Sequence, residues 1–503
     1  MRDAAAIGAG LAPARDARPI RRGERIHVVG GAGAGASAAA LLAIDAGAIV
    51  TACDAGGPSP YSEALARVGI DLVTGHDAGH VTSDPRPDRL AVTKALTAID
   101  PDNPELTAAR DLGIPAEPWQ QVIADAAVGR TLVAIAGTHG KSTTAGWLVH
   151  LLVDARRDPS AFVGALLPSD ITGATPATAR TGRGAPFVVE ADEYAGNFDA
   201  YRPNIAVLTS IEWDHPDVFA DDAAVQEAFA TWLARTPDDG WIVANTGDPN
   251  VAAVVDRPEI RGRRVFRVAL DGMAGMDGAD IRGRVVALDP DGTVLDMWGL
   301  TDTAEAVRVR LPTAGRHNAA NALAVAGAAV ALGVPHSDIA RGLETFRGVG
   351  RRLERKGEAS GVVVYDDYGH HPTAVRETIA AIRQREPARR VWAVYEPLTY
   401  HRTAALRDAF AASLATADAV AIADIWAGRD QDTTIASASG LAEGVAAVRP
   451  GIPVAAPGSV EATADWLARN VRAGDAVLVM GGGHSYRIAT GLLERLERGT
   501  DGR

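Results

Sequence analysis

Cysteine is almost missing from this chain of 503 residues: Cys53 stands alone, so no internal disulfide can form and a reducing compartment is expected. Lysine is nearly as scarce. Among 50 basic residues only Lys94, Lys141 and Lys356 are lysines, so a lysine kept inside a glycine-rich loop stands out from an arginine background. No run of 18 apolar residues occurs, which argues against a membrane-spanning helix. Residues 1–22 mix Ala, Arg, Pro and Gly without the apolar segment of a secretory signal, and read as a disordered extension. Excess positive charge is also lacking. The net charge is −13 with both signs interspersed, which excludes nucleic acid as the main partner and leaves small anionic ligands to local sites. Short-period repeats of solenoid type are absent. The expectation is a soluble cytoplasmic protein without membrane insertion, a monomer or homodimer.

What is present is length, and an alternation of strand and helix signals. A chain this long exceeds one ordinary core, and alternation favours parallel sheets built from βαβ units. The first block opens with the apolar run Arg25-Ile-His-Val-Val-Gly30, a glycine loop, an Ala/Leu-rich helix and the strand Ala48-Ile-Val-Thr-Ala-Cys-Asp54. A second begins near Arg130, and its stretch from about 256 to 312 reads as antiparallel hairpins. A third starts near Gly342. The expectation is three α/β domains over 23–128, 129–341 and 342–503.

The second block carries the most specific chemistry. Gly137-Thr138-His139-Gly140-Lys141-Ser142-Thr143 follows a strand and opens a helix. Backbone N–H groups at a helix start, plus a lysine, cradle a polyphosphate, and the hydroxyl after the lysine is placed for Mg²⁺. Position 135 is Ile, so the spacing departs from the common P-loop. ATP binding is the inference; the plain alternative is a glycine-rich turn. Glu190 and Asp192 end one apolar strand, and Glu212, Asp214 and His215 follow the next, at the sheet edge where ligands bind. They are candidate metal ligands, although a strand-end Asp also caps helices and a lone His is often only hydrogen-bonded.

Gly31, Gly33 and Ala36, with Asp54 about twenty residues on, satisfy a dinucleotide fingerprint in its alanine-ended form. Read alone they fit an NAD-dependent oxidoreductase; they equally suit any pyrophosphate, including that of a UDP-sugar. A non-catalytic nucleotide-binding protein is a third reading.

Taken in order, the phosphate loop, Glu190-Ala-Asp-Glu-Tyr194, Asp214-His215, Gly315-Arg-His-Asn-Ala-Ala-Asn321 and Asp366-Asp-Tyr-Gly-His-His-Pro372 resemble the Mur ligases. Gly75-His-Asp77, Asp102-Asn-Pro-Glu-Leu106, Phe346-Arg-Gly-Val-Gly-Arg-Arg352, Pro397 to Thr403 and Gly481-Gly-Gly-His484 agree as well. The resemblance covers about residues 25 to 495.

It implies a Rossmann-like UDP-sugar domain, a central P-loop ATPase-like domain and a C-terminal Rossmann-like domain that closes over the amino acid. It implies ATP-dependent amide-bond formation through an acyl phosphate, with UDP-N-acetylmuramate, L-alanine and ATP as substrates. By motif, Lys141 would hold the β- and γ-phosphates, Ser142 and Glu190 one Mg²⁺, and His215 a second. His317, Asn318 and Asn321 would surround adenine; Tyr368, His370 and Arg402 would orient the amino acid; Gly31, Gly33, Gly35, Ser37, Asp54 and His76 would face the UDP-sugar. His370-His371-Pro372 could also be a capped helix start.

No lysine lies between Lys141 and Lys356, against the carbamoylated lysine of the later-acting branches. Ala32, the stretch Val92-Thr93-Lys94, Glu396 and Leu398 depart from the family pattern, and the last two leave the added amino acid open. The alanine-adding branch is favoured by Tyr400-His-Arg-Thr403, with a tripeptide-adding recycling ligase as the alternative.

Overall fold

The computed structural model describes residues 6–501 apart from 274, 302, 429 and 431. Its strands form three sheets, as the alternation of signals predicts. The first is a parallel five-stranded sheet in the order Leu72–Thr74, Ile49–Asp54, Arg25–Val29, Arg89–Val92, Ala116–Pro118. Its central strand is a short apolar run buried on both faces, the usual reading of a parallel strand covered by helices.

The second sheet has ten strands and a parallel centre, Trp241–Asn245, Ile205–Leu208, Thr131–Ala136 and Pro186–Glu190. The expected antiparallel stretch is in part corrected. Ile281–Asp289, Gly292–Trp298 and Val307–Leu311 do pair antiparallel, but Arg264–Leu270 runs parallel to both neighbours. The third sheet has six strands, with Val362–Asp367, Asp475–Gly481 and Arg390–Glu396 at its centre and an antiparallel edge at Glu354–Ala359. The boundary expected at 341/342 falls inside the helix His336–Glu344, which packs on the helix Lys141–Asp154 of the second unit.

The first two units are not separate bodies. Helix Ala34–Asp45 lies against strands Ser160–Leu167 and Ala177–Arg180, and Trp119 meets Phe162 edge to face at 5.3 Å, so one apolar core runs through both.

The disordered extension is a correction for residues 6–22; residues 1–5 lie outside the described set. Arg15 bonds Glu117 and Asp125 at 2.7 and 2.8 Å, Arg18 bonds Glu24 at 2.7 Å, and Ile20 is buried. The buried Arg89 reaches the same three carboxylates. Arginine forks gain paired hydrogen bonds from such carboxylates, which anchors a segment of unpromising composition.

Candidate active site

The phosphate loop joins the buried strand Thr131–Ala136 to the helix Lys141–Asp154. Its glycines are demanded by space. At Gly137, with φ of 135°, a Cβ would sit 2.2 Å from Thr209 Oγ1; at Gly140, with φ of 80°, it would sit 2.4 Å from Asn321 Oδ1. The next strand end fixes the loop from outside: Ser210 O accepts from Thr138 N at 2.9 Å, and Glu212 Oε2 lies 2.8 Å from His139 Nε2.

Lys141 Nζ donates to Gly137 O at 2.7 Å and to Glu193 Oε2 at 3.0 Å, with Asp192 Oδ1 at 3.6 Å. Burial draws the ammonium down, but Glu193, Asp192 and Glu190 outweigh it and hold the group above its ordinary range. Burial pushes the Glu193 carboxyl up to about 7 against the pull of Lys141. Glu193 is a site residue that motif reading gave no role; its place directly after Asp192 was the available signal.

Glu190 Oε1 accepts from Ser142 Oγ at 3.0 Å and Oε2 from Gly164 N at 2.6 Å. Ser142 Oγ also accepts from Arg352 Nη2, on the C-terminal side, at 2.7 Å. Asp192, Glu193 and His215 bring one donor atom each within 4.8 Å of one another. His215 has a φ of 56°, and its Nδ1 lies 3.0 Å from Arg402 Nη2. A guanidinium only donates, so Nδ1 accepts and the ring proton sits on Nε2. Burial, with Arg402 beside it, lowers His215 to about 4 despite Asp214.

Arg402 itself donates Nε to Asp214 Oδ1 at 2.8 Å. His370 Nδ1 lies 2.9 Å from Tyr368 O, and burial and Arg402 hold its pKa well below the ordinary imidazole value. His371, not His370, caps the helix Pro372–Arg385, accepting from Thr373 N. Both histidines line the cavity, and His371 alone also caps the helix. Asp366 is withdrawn behind Arg351 at 3.1 Å.

On the helix Arg316–Ala331 two of the three expected adenine residues are already hydrogen-bonded. Asn318 Nδ2 donates to Ala314 O at 2.8 Å and Asn321 Nδ2 to Asn318 Oδ1 at 3.2 Å. His317 lines the cavity, and its buried Nδ1 has no hydrogen-bond partner among the described residues.

In the first unit the expected ligand residues separate. Gly31 and Gly33 form the loop, and Gly35 packs where a Cβ would strike Trp119 at 2.2 Å. Asp54 is already paired, accepting from Ala32 N at 3.0 Å and Gly56 N at 2.8 Å. Ser37 is a correction: it is fully buried against Ala34 O and Thr178 Oγ1, and joins two units. His76 turns inward to Glu105 at 3.1 Å.

One cavity of about 1540 Å³ draws these parts together. The phosphate loop, Asp192 and His215 line it from the centre, Tyr368, His370 and Arg402 from the C-terminal unit, and Trp119 and Gln120 from the first. Leu398 and Trp426 supply apolar wall beside the C-terminal groups.

A triphosphate-type loop facing two further α/β units across a shared cavity defines a nucleotide-using enzyme that joins two bound substrates. The profile "Mur ligase family, catalytic domain" matches residues 25–131, "Mur ligase middle domain" residues 135–329, and "Mur ligase, glutamate ligase domain" residues 351–483. The chain belongs to the Mur ligase family, and is an ATP-dependent amide-bond-forming ligase. It is 36% identical to the UDP-N-acetylmuramate–L-alanine ligase of Acidothermus cellulolyticus, over 95% of this chain and 96% of that one. To the enzyme of the same name in Mycolicibacterium smegmatis it is 37% identical, over 94% and 95%. Among solved structures, UDP-N-acetylmuramate–alanine ligase of Thermotoga maritima aligns with a TM-score of 0.77 at 22% identity, covering 95% of this chain and all of that one. A murein peptide ligase from Psychrobacter arcticus aligns at 0.70 with 25% identity, covering 94% and 99%.

Proposed function

We propose that the protein joins L-alanine to the carboxylate of UDP-N-acetylmuramate, converting ATP to ADP and phosphate, in the supply of cell-wall precursors. The observation that carries this reading is the meeting of Lys141, His215 and Arg402 in one cavity that the first unit also lines. The sugar carboxylate attacks the γ-phosphorus and ADP leaves, giving an acyl phosphate; the amino group of alanine, its ammonium proton lost to solvent, then attacks that carbonyl, and phosphate departs as the nitrogen sheds a second proton. Lys141 exchanges its bonds to Gly137 O and Glu193 for the β- and γ-phosphate oxygens. We assign Arg352, bonded to Ser142 Oγ, and Arg402, beside His215, to neutralise charge on the transferred group, so catalysis is positioning and charge neutralisation.

The oxygen and nitrogen donors of Ser142, Glu190 and the group Asp192, Glu193 and His215 suit a hard cation, and we assign them to Mg²⁺. When bound, Mg²⁺ neutralises phosphate charge. Were His215 Nε2 to hold the ion, the ring proton would sit on Nδ1, which could then no longer accept from Arg402. We assign adenine to the neighbourhood of His317, the UDP-sugar to the loop Gly31–Gly35, and the amino acid to Tyr368, His370 and Arg402. No helix among the described residues is long and apolar enough to cross a membrane; a single reduced cysteine and soluble substrates support a cytoplasmic site of action.

The test is phosphate release with UDP-N-acetylmuramate, Mg²⁺ and ATP while the amine is varied through L-Ala, Gly, L-Ser and a tripeptide, with products weighed by mass spectrometry. L-Ala should give the highest kcat/KM. A preference for the tripeptide would replace this reading with that of a recycling ligase.

A further inference from the structure

Five side chains of the first unit, none of them lining the cavity, converge on a buried point beneath the glycine loop. His27 comes from strand Arg25–Val29, Cys53 from Ile49–Asp54, His76 from the loop after Leu72–Thr74, His80 from the short helix Gly79–Thr82, and Glu105 from the helix Pro104–Leu112. The chain's only cysteine, three histidines and a carboxylate with no exposure are an unusual set to collect by packing alone.

The distances are short. Cys53 Sγ lies 3.1 and 3.2 Å from the two oxygens of Glu105, His80 Nδ1 2.5 Å from Oε1, and His76 Nδ1 3.1 Å from Oε2. His27 Nδ1 is engaged by Thr51 Oγ1 at 2.7 Å, which aims Nε2 into the cluster. That nitrogen has no hydrogen-bond partner among the described residues, although it sits 3.4 Å from Glu105 Oε1 in a residue only 2% exposed.

We propose that this cluster is a zinc site, with His27 Nε2, Cys53 Sγ, His80 Nδ1 and a Glu105 oxygen as ligands and His76 bonded to Glu105 behind them. The four donor atoms lie within 4.8 Å of one another. Tetrahedral zinc with bonds of about 2.0–2.3 Å needs donors roughly 3.3–3.8 Å apart. The Cys53–Glu105 and His27–Glu105 separations are already close to that; His80 must draw back by roughly an ångström. A mixed nitrogen, sulfur and oxygen set selects zinc-like ions over Mg²⁺, so the site is chemically distinct from the oxygen-rich one beside the phosphate loop. Thr51 on His27 and His76 on Glu105 supply the orienting partners that such ligands usually have. His80 and His76, with side chains 22% and 10% exposed, mark the way in.

Proton balance follows from the donors. Without metal the Cys53 thiol donates to Glu105. On binding, the thiol proton leaves to solvent and sulfur bonds the metal as thiolate, while Glu105 exchanges hydrogen bonds for a metal bond. The consequence reaches the glycine loop directly. Cys53 O accepts from Gly30 N at 3.0 Å and Gly31 N at 2.9 Å, so fixing Cys53 fixes the loop, whatever ligand that loop holds.

The test is titration of the chelator-treated full-length chain with Co²⁺. One equivalent should produce a thiolate-to-cobalt charge-transfer band, unaffected by Mg²⁺ and ATP and removed by one equivalent of Zn²⁺. Because Cys53 is the chain's only thiol, the band has one possible origin. Cys53→Ser should abolish it with the circular dichroism unchanged. His80→Gln, at the exposed rim, should weaken cobalt binding by at least about tenfold. Absence of the band from wild-type protein would overturn the proposal, and so would a band of wild-type strength in both His80→Gln and Glu105→Gln.

Discussion

Arg402 Nε donates to Asp214 Oδ1 at 2.8 Å across the joint between the C-terminal and central units, and neither side chain is more than 6% exposed. Burial alone would raise the Asp214 carboxyl, yet His215 and Arg402 hold it well below its ordinary value. The pair ties the two units together and sets the guanidinium beside His215, with Nη2 3.0 Å from His215 Nδ1.

Arg402→Ala leaves Asp214 buried without its guanidinium, which costs about 3–5 kcal/mol where the partner charge cannot reach water. Urea unfolding should show this loss. The double variant with Asp214→Asn should lose less than the two single losses added. Strict additivity would show that the pair does not hold the joint.

Lys141→Ala should lower ATP turnover by at least about 10²–10³-fold, the scale of removing one preorganised charge donor. UDP-sugar binding should stay within about twofold of wild type by calorimetry, because Lys141 lies on the central unit. Turnover close to wild type would remove the phosphate-loop assignment.

Glu396 gives a pH signature. Burial pushes its carboxyl from 4.5 up to about 7, against hydrogen bonds from Ser485 and His484 N–H, and Oε2 has no hydrogen-bond partner among the described residues. Between these values the folded chain keeps a proton that the unfolded chain has lost, so this group's contribution to stability falls as pH rises from about 4.5 to about 7. His215 and His371, both lowered to about 4 with burial the largest cause, act in the opposite sense up to about 6.5. The clean measurement is therefore the difference between Glu396→Gln and wild type. The variant should gain on wild type through the pH 4.5–7 window and hold a constant difference above it; a flat difference would contradict the burial argument.

The N-terminal arm predicts a stability effect far from any chemistry. Arg15→Ala removes a fork that bonds Glu117 and Asp125, leaving them to Arg89. Hydrogen bonds to charged groups contribute roughly 1–3 kcal/mol, and thermal unfolding should show a loss in that range. No change in Tm would mean that the arm is not anchored as described.

The phosphate loop was legible because its constraints are local: two glycines that admit no Cβ, a lysine and a hydroxyl, between a strand and a helix. Glu190, His215 and Arg402 were expected together from the family motifs, and the fold brings them to one cavity. Arg352 carried no assigned role, because its contact with Ser142 exists only once two units close, 210 residues apart in the chain. Ser37 was misassigned for the same kind of reason: Thr178, which buries it, is 141 residues away. The arm misled because Ala, Arg and Pro describe disorder until buried carboxylates about a hundred residues downstream are counted as partners.

The most direct measurement follows oxygen. UDP-N-acetylmuramate labelled with ¹⁸O in its carboxylate, incubated with enzyme, ATP, Mg²⁺ and L-alanine, should pass one labelled oxygen to each phosphate released, as an acyl phosphate requires. Product formed with unlabelled phosphate would contradict the carboxylate's attack on the γ-phosphorus.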